Sequence, residues 1–304
     1  MLRFEDMKDV SIVIPVYNSQ TSLEMCLEAL QAQTYPADCY EIIVVDNGSD
    51  KSVEAALMGR FPNVRCLVEK TVGSYAARTL GVQHASGRIV AFTDADCIPD
   101  RNWVAKAIEA MKELEATIVG GHIRLINPTN RSLNLYEIYE QNAFDIANSK
   151  RIIEKKYYAT TANLIAYRAV FKRVGYFDCT LRSNGDKDWV QRALRAGELL
   201  RYSSDVVVSH PRRSTFVEIE RKIKRIAGGN ITLNRRNHAP WSEIVFELFK
   251  ESPMHPNLYR FAFTCEGVVG LHNRVKFVFL TLLFALIQFK EKLRVLFGAT
   301  SSRV

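Results

Sequence analysis

The sequence predicts an α/β fold in which a mostly parallel sheet carries helices on both faces. Over the first two-thirds of the 304 residues, short runs rich in Val and Ile alternate with stretches of helical periodicity. Polar clusters follow three of the apolar runs, at residues 17–19, 46–50 and 94–96. Because ligands bind beyond the carboxyl ends of the strands in such sheets, these clusters predict a mononucleotide-type binding site.

Five strands and four helices are predicted in the first 123 residues. Apolar runs predict strands at residues 10–16, 41–45, 64–68, 88–93 and 116–123. The third and fourth helices are predicted at residues 74–85 and 100–114. Thr21 and Glu24 predict a capping box at the start of the first helix. Asp50 and Asp100 are predicted N-caps of the second and fourth helices, because short acidic side chains accept hydrogen bonds from exposed helix amides.

The rest of the chain mixes helices and strands, with no long linker. Further elements are predicted as a strand and a helix within 159–178, a helix within 185–197, and a strand at 199–210. Thr215 and Glu218 predict a capping box for a basic helix that continues through Ala227.

The charge balance predicts anionic partners, because 41 Lys and Arg against 33 Asp and Glu give a formal charge of +8. Nucleic acid is not predicted, since this charge is modest for the length and the basic helix at 215–227 contains few aromatic residues. The six scattered cysteines form no Cys-x-x-Cys pair, which favours a reducing compartment. The acidic start of the chain is unlike a secretory signal, so we predict a cytoplasmic protein.

Residues 277–289 form an apolar segment of thirteen residues flanked by Lys and Arg. As a helix this segment would span roughly 20 Å, short of the ~30 Å hydrocarbon core, so it does not predict a transmembrane helix. Two interpretations stay open. The segment packs on the main domain, or it makes a peripheral contact with the anionic inner face of the cell membrane.

Asp94 and Asp96 follow a buried-type strand one residue apart. Paired carboxylates on a turn offer oxygen ligands to Mg²⁺ or Mn²⁺, which then share their coordination with substrate phosphates. The alternative is that Asp94 caps a turn and Asp96 is solvated. The sequence contains no P-loop, and no Gly-x-Gly-x-x-Gly follows the first strand, which excludes P-loop nucleotidases and disfavours dinucleotide-dependent dehydrogenases.

Four segments, in order and spacing, resemble the family 2 glycosyltransferases, which have the GT-A fold with its Rossmann-like sheet. The segments read SIVIPVYNSQTSLEMCLEALQAQTYP, EIIVVDNGSD, GSYAARTLGVQHASGRIVAFTDADCIPDRNW and GDKDWVQRALRAG. The resemblance, over residues 8–215, implies a metal-dependent inverting enzyme that uses Mn²⁺ or Mg²⁺. It further implies a nucleoside diphosphate sugar donor and a saccharide or lipid-linked acceptor, as in polysaccharide or glycolipid synthesis.

The resemblance also implies the domain organisation. A GT-A glycosyltransferase domain is expected at 1–215, with a nucleotide-sugar-binding half at 1–123 and an acceptor-binding half at 124–215. A C-terminal helical extension is expected at 216–304.

Most implied donor contacts lie on loops that follow strands. The resemblance assigns base and ribose contacts to Pro15, Val16, Tyr17, Asn18, Asp46, Gly48 and Ser49. It places the diphosphate and metal at the turn of Asp94, Ala95 and Asp96.

Two basic side chains match diphosphate or metal positions of the family. Arg78 is implied to face the nucleotide base or the diphosphate, and a guanidinium binds the diphosphate bidentately; the alternative is a surface ion pair. His210 is implied as a third metal or diphosphate contact, with a structural histidine as the alternative. Arg212 and Arg213 either close over the diphosphate or belong to a solvated basic face.

Asp186 matches the catalytic base of the inverting members. Its carboxylate would accept the proton of the acceptor hydroxyl. Asp188 is the competing candidate, and Gly185 stands where many relatives carry Glu.

Two alternative functions are a sugar-1-phosphate nucleotidyltransferase and a nucleotide-sugar-binding protein without catalytic activity. A sugar-1-phosphate nucleotidyltransferase would need a Gly-rich basic loop after the first strand, which PVYNSQ does not supply. A catalytically silent nucleotide-sugar-binding scaffold is disfavoured by the joint presence of Asp94, Asp96 and Asp186.

Overall fold

A computed structural model describes residues 8–127, 131–144, 149–250 and 252–300. The chain divides into two compact units. The first unit comprises Met1–Ile126, Asp145–Thr180 and Gly185–Pro211, and the second comprises Asn127–Phe144, Leu181–Asn184 and Arg212–Val304. The expected domain boundary at residue 215 stays a prediction.

The first unit is built on an eight-stranded sheet. Its strands are β1 (Val10–Val16), β2 (Tyr40–Asp46), β3 (Val64–Val68), β4 (Ile89–Phe92), β5 (Ile98–Pro99), β6 (Ile118–Ile126), β7 (Leu164–Tyr167) and β8 (Leu200–Pro211). Their order across the sheet is β3-β2-β1-β4-β7-β6-β8-β5. Strands β3, β2, β1 and β4 are parallel, whereas β7 runs antiparallel to both β4 and β6. The predicted α/β class is confirmed, and the parallel part contains the strand ends that carry the polar clusters.

Twelve α-helices occur in the described residues. They are α1 (Gln20–Gln31), α2 (Val53–Leu57), α3 (Ser74–His84), α4 (Trp103–Glu113), α5 (Leu135–Ala143), α6 (Ser149–Lys156), α7 (Arg168–Val174), α8 (Gly185–Arg195), α9 (Phe216–Arg236), α10 (Trp241–Phe249), α11 (Pro256–Thr264) and α12 (Leu271–Leu296).

The core of the first unit forms because the central strands are apolar on both sides. Six of the seven residues of β1 are buried, and the apolar faces of α1 and α4 belong to the same cluster. Trp103 at the start of α4 is fully buried, and its indole Nε1 donates to Asn163 Oδ1 at 2.9 Å. The Asn163 amide in turn donates to the carbonyl oxygens of His122 and Val206. This buried amide is therefore satisfied and ties β6 and β8 to the core.

Three of the four predicted helix caps are wrong. Ser19 occupies the N-cap of α1, so Thr21 and Glu24 lie inside the helix and form no capping box. Ser52 caps α2 in place of Asp50, whose amide instead bonds to the β1–α1 loop. Asn102 stands at the N-cap of α4, although the Asp100 carboxylate does accept the Asn102 amide at 3.1 Å.

The fourth predicted cap is confirmed, because Thr215 and Glu218 form a reciprocal capping box at the start of α9. The helix continues to Arg236, beyond the predicted Ala227. The extension follows from apolar residues that recur at helical spacing on its buried side.

The second unit is helical. Helices α9 and α12 pack against each other, and α5, α10 and α11 pack on this pair. Tyr139 of α5 lies at the centre of an aromatic cluster, with its ring centroid 4.7 Å from that of Phe284 and 5.9 Å from that of Phe261. These aromatic rings pack together with buried aliphatic residues, among them Ile219 and Ile223 of α9, to form the unit's core.

The C-terminal helix is longer than the segment 277–289 predicts. Helix α12 runs for 26 residues, about 39 Å at 1.5 Å per residue. Lys292, one of the basic residues that flank the apolar segment in the sequence, lies within this helix and is fully buried. Its Nζ donates to the carbonyl oxygens of Glu247 and Lys250 at the end of α10. These bonds satisfy the ammonium group inside the unit, so the helix continues through it.

Candidate active site

A tight turn follows β4 at the carboxyl edge of the sheet and carries the two predicted carboxylates. The Cys97 amide donates to the Asp94 carbonyl oxygen at 3.0 Å and closes the turn. Strand β5 then pairs with β8, and this pairing brings the turn beside His210. Asp96 Oδ2 lies 3.7 Å from His210 Nε2. Asp96, Cys97 and His210 each present one ligand atom, all within 4.8 Å of one another. The turn thus offers a compact set of metal-ligand atoms.

The surroundings of His210 fit a metal ligand. Its Nδ1 lies 2.7 Å from the Pro211 carbonyl oxygen, so the tautomer with the proton on Nδ1 donates there. The Nε2 lone pair then faces Asp96, which is the orientation that metal-binding histidines adopt. Burial, followed by the nearby Asp94 and Asp96 charges, raises the pKa of the Cys97 thiol well above its ordinary value. Carboxylate and imidazole are therefore the readier ligands for a hard divalent cation at neutral pH.

Arg78 on α3 lies against the other carboxylate of the turn. Its Nη2 forms an ion pair with Asp94, and its side chain is 5% exposed. Its Nε is buried and has no hydrogen-bond partner in the described part of the chain. Buried N–H donors are normally satisfied, so this orphaned donor indicates a missing acceptor. Because the Arg78 side chain is buried, this ion pair differs from the surface ion pair of the alternative interpretation.

The loops after β1 and β2 are locked to each other. The Asn18 amide donates to Ser49 Oγ at 2.9 Å, while the Asn18 side chain accepts the Asp50 amide at 2.9 Å and donates to its carboxylate at 3.1 Å. Asp46 Oδ1 accepts the Ser49 amide at 2.9 Å. Gly48 has a φ of +84°, a value that strains other residues and explains the glycine. Strands β1 and β2 end side by side at Val16 and Asp46, which brings the two loops together.

Several predicted donor residues can contribute only through the backbone. The side chains of Val16 and Ala95 are buried, and Pro15 is half-buried within β1. Tyr17 is 40% exposed, so its ring face is accessible at the strand end. The aromatic ring and the Asp46 carboxylate are therefore the side chains best placed to contact a nucleotide base.

Asn47 is a site residue that the sequence analysis misses. Its side-chain amide donates to the carbonyl oxygens of Glu69 and Thr71 at 3.0 and 2.8 Å, and its Oδ1 accepts the Gly73 amide at 2.6 Å. Asn47 therefore fixes the loop that leads into α3, the helix of Arg78. Its position within the DNGSD cluster was the only signal in the sequence.

Asp186 lies in the first turn of α8, rather than in a turn before the helix. Its Oδ1 accepts hydrogen bonds from the Tyr75 hydroxyl at 3.2 Å and from the Lys187 amide at 2.9 Å. The Thr161 amide lies 3.4 Å from Oδ2. Asp188 instead pairs with Arg192 Nε at 2.9 Å, one turn along the helix. The contacts of Asp186 orient it towards α3, whereas those of Asp188 are internal to α8.

Gly185 accounts for the departure from the Glu that the resemblance suggests. A Cβ atom at this position would lie 2.7 Å from the Tyr75 ring, closer than a real contact permits. Glycine at 185 thus allows the Tyr75 ring to approach the start of α8.

Tyr75 connects the two charged parts of the site. Its hydroxyl contacts Asp186, and the Arg78 guanidinium lies 5.6 Å from its ring centroid, one helical turn along α3. Contacts therefore run without a break from Asp186 through Tyr75 and Arg78 to Asp94. Nothing in the local sequence indicates the link, because Tyr75 and Asp186 are 111 residues apart.

Arg212 and Arg213 have partners within the second unit. Arg213 bonds to Glu140 through its guanidinium at 2.7 Å and through its amide, and Arg212 Nη2 donates to Gln141 at 3.2 Å. Arg213 is therefore part of a buried ion cluster, unlike a residue on a solvated basic face.

Comparison with known proteins identifies the family. The sequence model described as glycosyl transferase family 2 matches residues 11–175. Glycosyltransferase AglE of Haloferax volcanii is 36% identical over 226 residues, which are 73% of this chain and 73% of that protein. The pre-mycofactocin glycosyltransferase of Mycobacterium tuberculosis is 26% identical over 215 residues, 68% of this chain and 43% of that protein.

Solved structures support the same fold. The mannosyltransferase PcManGT from Pyrobaculum calidifontis, solved in complex with GDP-Man and Mn²⁺, has a TM-score of 0.63 with this chain. The alignment covers 94% of this chain and 87% of PcManGT at 16% sequence identity. At this identity the likeness shows the fold alone.

Proposed function

The chain belongs to glycosyl transferase family 2 and is a glycosyltransferase, and on this premise we propose which reaction it performs. It transfers a sugar from a nucleoside diphosphate sugar to an acceptor hydroxyl, inverting the anomeric carbon, with Mn²⁺ or Mg²⁺ as cofactor. The observation that carries this proposal is the unbroken series of contacts from Asp186 to Asp94, which joins a candidate base to the candidate metal turn.

The loops after β1 and β2 bind the nucleoside of the donor. Tyr17 offers its exposed ring to the base, and Asp46 accepts an N–H or a hydroxyl hydrogen. The interlocked Asn18 and Ser49 hold these loops in place before the donor arrives. Such preorganisation lowers the entropic cost of binding.

The donor's diphosphate lies between Arg78 and the turn after β4. The orphaned Arg78 Nε supplies a charge-assisted hydrogen bond to a phosphate oxygen. Asp96 and His210 would hold the cation, and Arg78 fixes the neighbouring Asp94 through their ion pair. When bound, the cation neutralises the negative charge that develops on the departing diphosphate.

Asp186 acts as the general base. It accepts the proton of the acceptor hydroxyl while the acceptor oxygen attacks the anomeric carbon and the bond to the diphosphate breaks. Attack from the face opposite the leaving group inverts the configuration. The hydrogen bonds from Tyr75 and Thr161 keep the carboxylate in one orientation.

The acceptor is a saccharide or a lipid-linked intermediate, and the reaction takes place on the cytoplasmic side in glycan or glycolipid synthesis. All six cysteines are free thiols, which supports a reducing compartment. The names of the two relatives quoted, both glycosyltransferases, support sugar transfer to an acceptor.

The substitution Asp186→Asn tests this assignment. We expect the transfer rate to fall by about 100-fold or more, because a general base contributes 10²–10⁴-fold, while the donor dissociation constant changes little. Rates come from transfer assays, and donor binding from calorimetry with Mn²⁺ present. Asp188→Asn is the matched control on the same helix turn and is expected to retain most of the activity. A near wild-type rate for Asp186→Asn, with a collapse for Asp188→Asn, would reassign the base to Asp188.

A further inference from the structure

Helix α12 has two apolar faces, and only one of them is covered. Phe277, Thr281, Phe284, Ala285 and Val295 are buried and face the unit's interior. The opposite face presents large apolar side chains that recur every three or four residues and are 45–82% exposed: Leu271, Val275, Phe279, Leu283 and Leu286. We call these five side chains the outer face. A helix that is apolar all round is normally buried or lies against lipid.

Helices α10 and α11 add to this exposed apolar surface. Trp241 and Phe246 on α10 are 71% and 65% exposed, and Phe263 on α11 is 60% exposed. The ring centroid of Phe249 lies 5.9 Å from that of Phe289, which joins α10 to the C-terminal half of α12. Of the 24 large apolar side chains that are exposed in the described residues, 14 fall between positions 241 and 297. Such a concentration marks an interaction surface, because single exposed apolar residues are normal but large groups of them are not.

Positive charge is concentrated in the same part of the sequence. Residues 216–304 contain 14 Lys and Arg against seven Asp and Glu, so they carry +7 of the chain's formal +8. Lys276 and Lys290 are exposed near the two ends of the outer face. Apolar and aromatic side chains flanked by lysines are the pattern of a helix at a membrane interface.

We propose that the outer face of α12, with the exposed aromatic residues of α10 and α11, is a docking surface for an anionic lipid bilayer. The apolar side chains enter the region between headgroups and acyl chains, and the lysines contact the headgroup phosphates.

The helix lies along the membrane surface rather than across the bilayer. By length and composition alone it could cross a membrane, and only 22% of its most apolar window is buried inside the structure. However, its inner face packs on the charged helix α9, and its buried Lys292 is bonded to carbonyl oxygens of α10. Crossing the bilayer would expose α9 to hydrocarbon or break these contacts, both at a high cost in free energy.

Charge also favours lipid over a second copy of the chain as the occupant. Two copies that met through this surface would bring two sets of like charges together, which is unfavourable at physiological ionic strength. An anionic bilayer offers the complementary charge. Attachment leaves the catalytic groups of the first unit unchanged, so this proposal stands independently of the reaction assigned above.

Vesicle co-sedimentation of the full chain tests the proposal. We expect the protein to sediment with vesicles of phosphatidylcholine and phosphatidylglycerol, and more weakly with phosphatidylcholine alone. The triple variant Phe279→Ser, Leu283→Ser, Leu286→Ser should lose at least about tenfold in partition coefficient, since each apolar side chain gains by leaving water. The control pair Met58→Ser and Val68→Ser removes equally exposed apolar side chains from the first unit and should bind as the wild type does.

A second variant tests the electrostatic contribution to binding. It also keeps the proposal testable if the triple variant fails to fold. Lys276→Gln with Lys290→Gln should weaken binding to the anionic vesicles by about fivefold per residue, with little effect on neutral vesicles. The proposal is overturned if the wild type stays in the supernatant with both kinds of vesicle, or if both variants sediment as the wild type does. A wild type that is dimeric by light scattering, fails to bind vesicles, and becomes monomeric in the triple variant would assign the surface to a second copy instead.

Discussion

The two units of the molecule place their charged groups in opposite ways. In the first, ionisable side chains lie together at the carboxyl edge of a sheet and contact one another, and the unit contains 23 Lys and Arg against 24 Asp and Glu. In the second, an ion cluster is buried among helices, many large apolar side chains are exposed, and the unit contains 18 Lys and Arg against nine Asp and Glu. The first unit thus presents charged side chains at the edge of an apolar core. The second unit buries an ion cluster and exposes an apolar face.

The two units also differ in which groups solvent can reach. Asp96 is 41% exposed although His210 beside it is buried, so its carboxylate is accessible from solvent. In the second unit, Glu140 and Lys222 are buried, and their ion pair joins α5 to α9. The exposed apolar side chains of the second unit are spread over a wide surface, which is typical of contact with a large partner rather than with a small molecule.

The largest expected effect comes from breaking the buried cluster of the second unit. Glu140 is fully buried, and its Oε1 accepts from Arg213 at 2.7 Å and from Lys222 at 2.9 Å. Glu140→Gln leaves two cations without their carboxylate and should lower the free energy of unfolding by about 3–5 kcal/mol. Urea unfolding measures the change. Glu220→Gln, which breaks the partly exposed pair with Lys224, is the control and should cost under about 1 kcal/mol.

The same cluster predicts the pH dependence of stability. Burial alone would raise the pKa of Glu140, but Lys222 and Arg213 outweigh it and lower the pKa below its ordinary value. The carboxylate therefore contributes stability above the ordinary pKa of a glutamate, and this contribution is lost as the pH falls through the lowered value. The Glu140→Gln variant should lack this acid-dependent loss. Parallel acid-unfolding curves for both proteins would refute the ionic role of Glu140.

A smaller effect is expected from Tyr75, which links the proposed general base Asp186 to the proposed diphosphate site in the first unit. Tyr75→Phe removes the hydroxyl that donates to Asp186 but keeps the ring against Arg78. We expect kcat to fall by about tenfold, the scale of one hydrogen bond to a charged group, with KM for the donor little changed. A purely structural role for the hydroxyl would lower the free energy of unfolding and leave kcat of the folded protein near the wild-type value.

The sequence predicts the first unit well because its signals are local. Strand runs and the polar residues at their ends are adjacent in the chain, so the turn of Asp94 and Asp96 and its neighbouring loops could be anticipated. Pairing of β5 with β8 then brings His210 to Asp96, a contact that only the resemblance suggested.

What the sequence could not predict depends on tertiary contacts. Asp50 is a typical helix N-cap residue by type and position, but its carboxylate and its amide form hydrogen bonds with the Asn18 side chain on another loop. Lys292 flanks the apolar segment in the sequence, yet its Nζ donates to carbonyl oxygens at the end of α10. No pattern in the sequence around Tyr75 predicts its contact with Asp186. In each case the partner lies far away in the sequence, beyond the reach of periodicity or motif.

The most direct test of the central claim is the binding of Mn²⁺ to the full chain, followed by electron paramagnetic resonance with GDP or UDP present. We expect the free-ion signal to decrease for the wild type and for Asp100→Asn, an exposed acid close to the turn. We expect no decrease for the double variant Asp96→Ala, His210→Ala. Undiminished free Mn²⁺ with the wild type and either nucleotide, or equal binding by the double variant, would contradict the central claim.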